Sequence, residues 1–140
     1  MVPGSAGIAT AAEQRPEIQR LFQSGDYEQV VEAAQGADPA STFLVAQALL
    51  KLNRTEQAVA AFTRLGGSGP VWRLIAESGQ ALAANDAGRA VELGRKATAV
   101  DDSNPFAFYQ LGLSASKAGD WGTAAGAFTG AIERKPDFAY

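Results

Sequence analysis

The sequence repeats itself, and this repeat constrains the fold more tightly than any single motif. Four segments align, beginning QSGDYEQVVEAAQGA at Gln23, KLNRTEQAVAAFTRL at Lys51, AANDAGRAVELGRKA at Ala83 and KAGDWGTAAGAFTGA at Lys117. Each carries a Gly or Asn at the same place (Gly25, Asn53, Asn85, Gly119), and these are the residue types that turn a chain most readily. Five residues on stand Val30, Ala58, Ala90 and Ala124; four further on, Ala34, Phe62, Gly94 and Phe128; three beyond those, Ala37, Leu65, Ala97 and Ala131. Spacings of four and three line one face of a helix. Read at Val30, Ala58, Ala90 and Ala124, the copies are offset by 28, 32 and 34 residues. A repeat of this period is the signature of an array of small supersecondary units.

A second amphipathic stretch precedes each turn residue. Phe108, Leu111, Gly112 and Ala115 form one stripe before Gly119, and Thr42, Val45, Ala46 and Leu49 form its counterpart before Asn53. Asp38-Pro39 and Asn104-Pro105 each place a capping side chain before a first-turn proline. Pro70 and Pro136 follow second helices, where proline stops a helix. The pattern predicts helices over 13–24, 26–37, 39–53, 55–66, 70–85, 87–101, 104–118 and 120–135. Residues 1–12, small and uncharged, are expected to be a flexible segment outside the fold.

Composition narrows the function classes. Ala contributes 29 residues, against 30 for Leu, Ile, Val and Phe together, which suits helices packed closely with modest bulk between them. The absence of Cys removes disulfides, thiolate nucleophiles, iron–sulfur clusters and most structural zinc sites. The absence of His removes the commonest general base and metal ligand. A net charge of −3 does not suit a surface that neutralises phosphates, so no nucleic-acid partner is expected. No apolar run approaches the roughly 18 residues that span a bilayer, and the protein is expected to be soluble, in cytoplasm or periplasm. No catalytic set, cofactor motif or metal-ligand cluster can be assembled. Gly66-Gly67-Ser68-Gly69 lacks the Lys-Ser/Thr of a phosphate-binding loop and reads as a linker. Asp101-Asp102 reads as a helix end and cap, and the Arg95-Lys96 and Arg134-Lys135 pairs as cations opposing helix dipoles. Asn53-Arg54-Thr55 fits a glycosylation acceptor, though Asn53 also occupies a turn position that accounts for it.

The repeat resembles the tetratricopeptide repeat family. Its clearest unit is residues 106–137, with Phe108 at the first aromatic place, Leu111-Gly112 as the Leu-Gly pair and Gly119-Asp120-Trp121 as the turn between helices. Ala124, Phe128, Ala131 and Pro136 match the second helix and its stop, while Ala115 replaces the usual Tyr. The resemblance implies an all-α, right-handed superhelical solenoid of antiparallel helix pairs over 13–140, in units of about 13–38, 39–70, 71–104 and 105–137. The third unit departs: Glu77-Ser78 stands in place of Leu-Gly and Gly94 in place of an aromatic. Its core is expected to be thinner, or its first helix rotated by about one residue. The first unit lacks three loop residues before Pro39 and reads as a degenerate cap.

In this family the first helices line a concave face. The resemblance therefore points Phe43, Gln47, Leu50 and Lys51 into a groove from the second unit. Trp72, Ile75, Gly79 and Leu82 follow from the third, and Phe106, Tyr109, Leu113 and Lys117 from the fourth. That groove is apolar and lacks the Lys, Arg and Asn clamp with which other members of the family hold a terminal carboxylate. It implies a non-enzymatic scaffold binding an apolar or amphipathic peptide or helix of a protein partner, with no cofactor. The bland alternative is that neighbouring helices or a chain extension cover these residues. Two other readings stay open: a self-assembly module stacking on copies of itself, and the helical co-chaperone part of a larger protein, given a short likeness of the first two units to bacterial thioredoxin-like co-chaperones. After Pro136 the chain starts what looks like another first helix, so Phe138 and Tyr140 are expected at an uncovered apolar end that favours self-association.

Overall fold

The computed structural model describes residues 10–34 and 38–138, and all regular structure among them is helical. Eight helices follow one another: α1 Thr10–Gln23, α2 Tyr27–Ala33, α3 Pro39–Lys51, α4 Thr55–Gly66, α5 Pro70–Ala83, α6 Ala87–Val100, α7 Pro105–Ala118 and α8 Trp121–Arg134. A 3-10 turn, Pro136–Phe138, comes after them. The helices fall where the repeat places them, with small differences at their bounds. Helix α1 begins at Thr10, ahead of the expected start, because Ala11 and Ala12 are the best helix formers and extend it backward. Residues 1–9 of the segment expected to be flexible, and Ala37 of the first repeat, lie outside the described residues.

The pattern's turn residues are all left-handed. Gly25, Asn53, Asn85 and Gly119 have φ of 83°, 65°, 63° and 80°. Most L side chains are strained there; Gly has no Cβ to clash, and Asn is the commonest substitute. The hydrogen bonds around the four turns coincide as well. The amide after each turn residue donates back to the carbonyl five residues earlier: Asp26 to Leu21 (2.9 Å), Arg54 to Leu49 (2.8 Å), Asp86 to Ala81 (2.8 Å) and Asp120 to Ala115 (2.9 Å). The turn residue's own amide donates to the carbonyl three earlier, Phe22, Leu50, Leu82 or Ser116. This paired closure satisfies carbonyls left over at a helix C-terminus.

Helix starts use short polar side chains. Asp38 accepts from the Ser41 amide at 2.8 Å and Asn104 from the Phe106 amide at 2.8 Å, each just ahead of a proline that needs no donor. Asp86 and Asp120 accept from the Arg89 and Thr123 amides in the same way.

The chain divides into two compact units, Met1–Ala61 and Phe62–Tyr140, the division falling within α4. In the first, α1 packs on α2 and α3, and α2 on α3; Ile18, Phe22, Val30, Ala34, Phe43 and Leu44 are buried there. In the second, α5 packs on α6 and α7, α6 on α7, and α7 on α8. Contact between alternate helices, α1 with α3 and α5 with α7, is what stacked helix pairs require: each first helix lies on the next first helix.

Glycine and ring packing sets the distances inside the second unit. A Cβ on Gly112 would sit 2.6 Å from the Phe128 ring, and one on Gly130 would sit 2.7 Å from the Phe108 ring, so each aromatic fills the space a side chain vacates. Gly94 lets α7 approach, with the Leu111 Cα 3.1 Å from where its Cβ would be. Ala124, on the face of α8 that meets α7, is 3% exposed, whereas Lys117 is solvated. Overpacking such a site typically costs about 1–3 kcal/mol, and truncating a solvated lysine less than about 0.5 kcal/mol. Thermal unfolding of Ala124→Leu should therefore show a loss of that size, and Lys117→Ala almost none; equal losses would refute the helix register.

Candidate functional site

The face of interest in the second unit is built on α5 and α7, two first helices packed side by side. The first aromatic of α7 is Phe106, in the first turn of the helix, its amide held by Asn104. Trp72, in the first turn of α5, lies 5.7 Å from Phe106 between ring centroids. Phe106 meets Phe138 edge-on at 5.1 Å, Tyr109 meets Phe138 at 4.7 Å, and Tyr109 meets Phe128 at 5.7 Å. These separations lie in the favourable range for aromatic pairs. The result is a continuous row of rings across α5, α7, α8 and the Pro136–Phe138 turn.

The residues the resemblance points into a groove occupy different depths. Ile75 is fully buried, and Phe106 and Tyr109 are each 7% exposed. Trp72 and Leu113 are half-buried and Lys117 is exposed. Leu82 is also half-buried, packing with Leu74 against Ala81, Ala90 and Leu93. In the first unit, α3 buries Phe43 and Gln47, leaves Leu50 half-buried and exposes Lys51.

Two expectations are corrected. Gly79 does not face a groove: it is buried, and a Cβ there would lie 2.3 Å from the Phe62 ring. Phe62 belongs to the second repeat, and its ring crosses to the first helix of the third, where Gly79 leaves the space that it fills. Phe138 is not left at an uncovered end: it is 1% exposed, because the turn after α8 folds its ring onto Phe106 and Tyr109. Tyr140 lies outside the described residues.

Where the third repeat departs from the Leu-Gly pattern, the space holds a buried polar cluster. The Ser78 hydroxyl donates to the Ala90 carbonyl at 2.8 Å and lies 3.1 Å from the Ser114 hydroxyl. The Gln110 amide group donates to both hydroxyls at 3.2 Å, and Ser114 donates to the Gln110 carbonyl at 2.9 Å. Nothing in the spacing of the sequence marked Gln110, which is wholly buried. Its one available signal is that it lies between two apolar stripe residues of α7.

The charged candidates have local partners. Asp101 accepts from the Ser103 hydroxyl at 2.6 Å and the Ser103 amide at 3.0 Å, closing the loop before Asn104 rather than capping α7 itself. Those bonds hold its carboxyl below the usual value of 3.8. Arg134 lies over the Phe108 ring, 3.9 Å from its centroid, and donates to the Asp102 and Gly130 carbonyls. Its flat cation thus ties α8 to the loop before α7.

Residues 106–137, spanning α7, α8 and the start of the following turn, match the family model described as Tetratricopeptide repeat. The match covers one repeat of the chain, and the succession of helices described above is consistent with a tetratricopeptide-type repeat protein. Repeats of this type are typically non-catalytic modules of protein–protein interaction. No curated protein matches the chain. No helix among the described residues is long and apolar enough to cross a membrane.

The helix caps make stability depend on pH. Asp120 is held below the usual carboxylate value of 3.8, first by the Thr123 hydroxyl and then by the Thr123 amide, with Arg95 adding attraction. A carboxyl with a depressed folded pKa stabilises above its unfolded pKa and loses that contribution as pH falls through the folded one. The melting temperature should therefore hold down to about pH 5 and fall below the unfolded value of 3.8. Asp120→Asn should flatten part of that fall; an unchanged profile would show that the cap carries no linkage.

Proposed function

We propose that this protein is a non-enzymatic scaffold that binds an apolar or amphipathic peptide or helix on the faces of its first helices. In the second unit that face carries Trp72 as anchor, with Phe106, Tyr109, Ile75 and Leu82 supporting it and Leu113 and Lys117 bordering it. In the first unit the corresponding face carries Leu50 and Lys51, over the buried Phe43 and Gln47. The observation that carries the reading is the aromatic row, in which a half-buried Trp72 leans on Phe106 beside few charges. Aromatic anchors of this kind supply contact area at low entropic cost and dominate interface energetics. An amphipathic helix meets such a surface with residues at three- and four-residue spacing.

The test titrates a fluorescent amphipathic helical peptide and an acidic peptide with a free C-terminal carboxylate against the parent chain and Trp72→Ala. The amphipathic peptide should bind, and Trp72→Ala should weaken it by about 2 kcal/mol, roughly thirtyfold. Tight binding of the acidic peptide, unaffected by that substitution, would reject the reading.

A second reading is self-association, favoured by the outer side of α8. Trp121 is 69% exposed there and Ile132 39%, with Ala125, Gly126 and Thr129 exposed between them. Sedimentation at millimolar protein should then show a mass that rises with concentration, and Trp121→Ala should suppress the rise. A constant monomer mass would remove this reading and leave the first untouched.

A further inference from the structure

We propose that the buried Ser78–Gln110–Ser114 cluster is a register lock between α5 and α7, holding the aromatic face in the one arrangement that a partner recognises. What this says of a partner rests on the reading of the α5–α7 face as a binding surface. Ser78 on α5, and Gln110 and Ser114 on α7, are wholly buried. The Ser78 hydroxyl gives its proton to the Ala90 carbonyl of α6 at 2.8 Å, and Ser114 gives its own to the Gln110 backbone carbonyl at 2.9 Å. Both hydroxyl oxygens are then left as acceptors, 3.1 Å apart. The Gln110 amide nitrogen stands 3.2 Å from each. Its N–H points between the two oxygens, and the amide fits only one way round. One cluster thus joins three helices through bonds that tolerate little change of distance or angle.

Shape fixes α7 on two of its sides, with Leu111 against Gly94 of α6 and the Phe128 ring of α8 against Gly112. Towards α5 the cluster takes that part. Helices α5 and α7 bury Ala76, Ala81, Ala107 and Ala115. Faces of such small side chains lose a unique arrangement before they lose stability. The cluster discriminates where they do not. Turning α7 by one residue, about 100°, would part Gln110 and Ser114 from Ser78 and leave buried polar groups unpaired, which is costly. The same turn would carry Phe106 away from the Trp72 ring beside it. Phe106 stands four residues before Gln110 and Leu113 three after it, so all three share one side of α7. Fixing a register is the best-attested use of buried polar groups, even where they add nothing to stability. Ser78, Gln110 and Ser114 are positioning residues: being buried they touch no partner, and they act through the rings they align.

The experiment compares the full chain with Ser78→Ala, with the triple variant Ser78→Ala/Gln110→Leu/Ser114→Ala, and with Asp86→Ala, which removes a cap of α6. Circular dichroism and thermal unfolding follow the helices. The Trp72 indole NMR signal and its cross-peaks to the Phe106 ring follow the arrangement, and the fluorescent amphipathic peptide follows binding. Both cluster variants should keep their helices, while the Trp72 signal splits or broadens and its Phe106 cross-peaks weaken. Peptide affinity should fall about fivefold, as the competent arrangement drops to roughly a fifth of the population. Asp86→Ala should lose stability and keep the parental signal, cross-peaks and affinity. A parental Trp72 signal with undiminished cross-peaks, in any cluster variant that keeps its helices, overturns the inference. So does the same broadening in Asp86→Ala, since it would then follow from lost stability alone. If the triple variant fails to fold, Ser78→Ala decides by the same criterion; loss of the helices in both would make the cluster a requirement for folding and overturn the lock. Should no peptide bind the parent chain, the surface reading fails, and the Trp72 signals still decide the register.

Discussion

The structure depends on one backbone event made four times: a helix ending in a single left-handed residue. At Gly25, Asn53, Asn85 and Gly119 the chain leaves a helix with positive φ, and the next residue's amide returns to the last turn. This closure stops the helix, satisfies its terminal carbonyls and sends the chain into the next helix after very few residues. The turn geometry is the same each time, so each second helix starts at the same number of residues from its turn residue. The apolar residues placed five, nine and twelve positions after the turn residue then fall on the face that meets the partner helix.

Once the register is fixed, close approach is governed by where side chains are missing. Gly112 and Gly130 each accept a phenyl ring where a Cβ would collide, and Gly94 accepts the backbone of α7. Rings seated against glycines make the packing specific, since a side chain at either glycine would collide with the ring. The third repeat shows how the scheme adapts. Ser78 stands in the glycine place and turns its hydroxyl to Ala90, Ser114 and Gln110, while the neighbouring Gly79 takes the Phe62 ring of the preceding repeat. A buried polar group is tolerated when it is fully hydrogen-bonded, and this cluster meets that condition through mutual donation.

The candidate site inherits both properties. Its Trp72, Phe106 and Tyr109 lie on first helices, α7 capped by the Asn104 side chain and α5 opened by Gly69 and a first-turn Pro70. The turn after α8 covers part of this row, with the Phe138 ring seated on Phe106 and Tyr109.

The sequence by itself determined the elements. The left-handed turn residues, the capping Asp and Asn before proline, and the four-and-three spacing are local signals, each acting through bonds within a few residues. They were therefore readable without any knowledge of what lies opposite, as was the resemblance of residues 106–137 to a tetratricopeptide unit. Tertiary structure alone decided which ring fills which gap. Whether Phe62 meets Ser78 or Gly79 turns on a rotation of about 100° per residue about a helix axis, which spacing does not specify to within one position. Whether Phe138 is bare or buried depends on the ring partners 29 and 32 residues before it, Tyr109 and Phe106. Such contacts form only after the helices have packed, because their geometry is a property of the assembled face and not of the local chain.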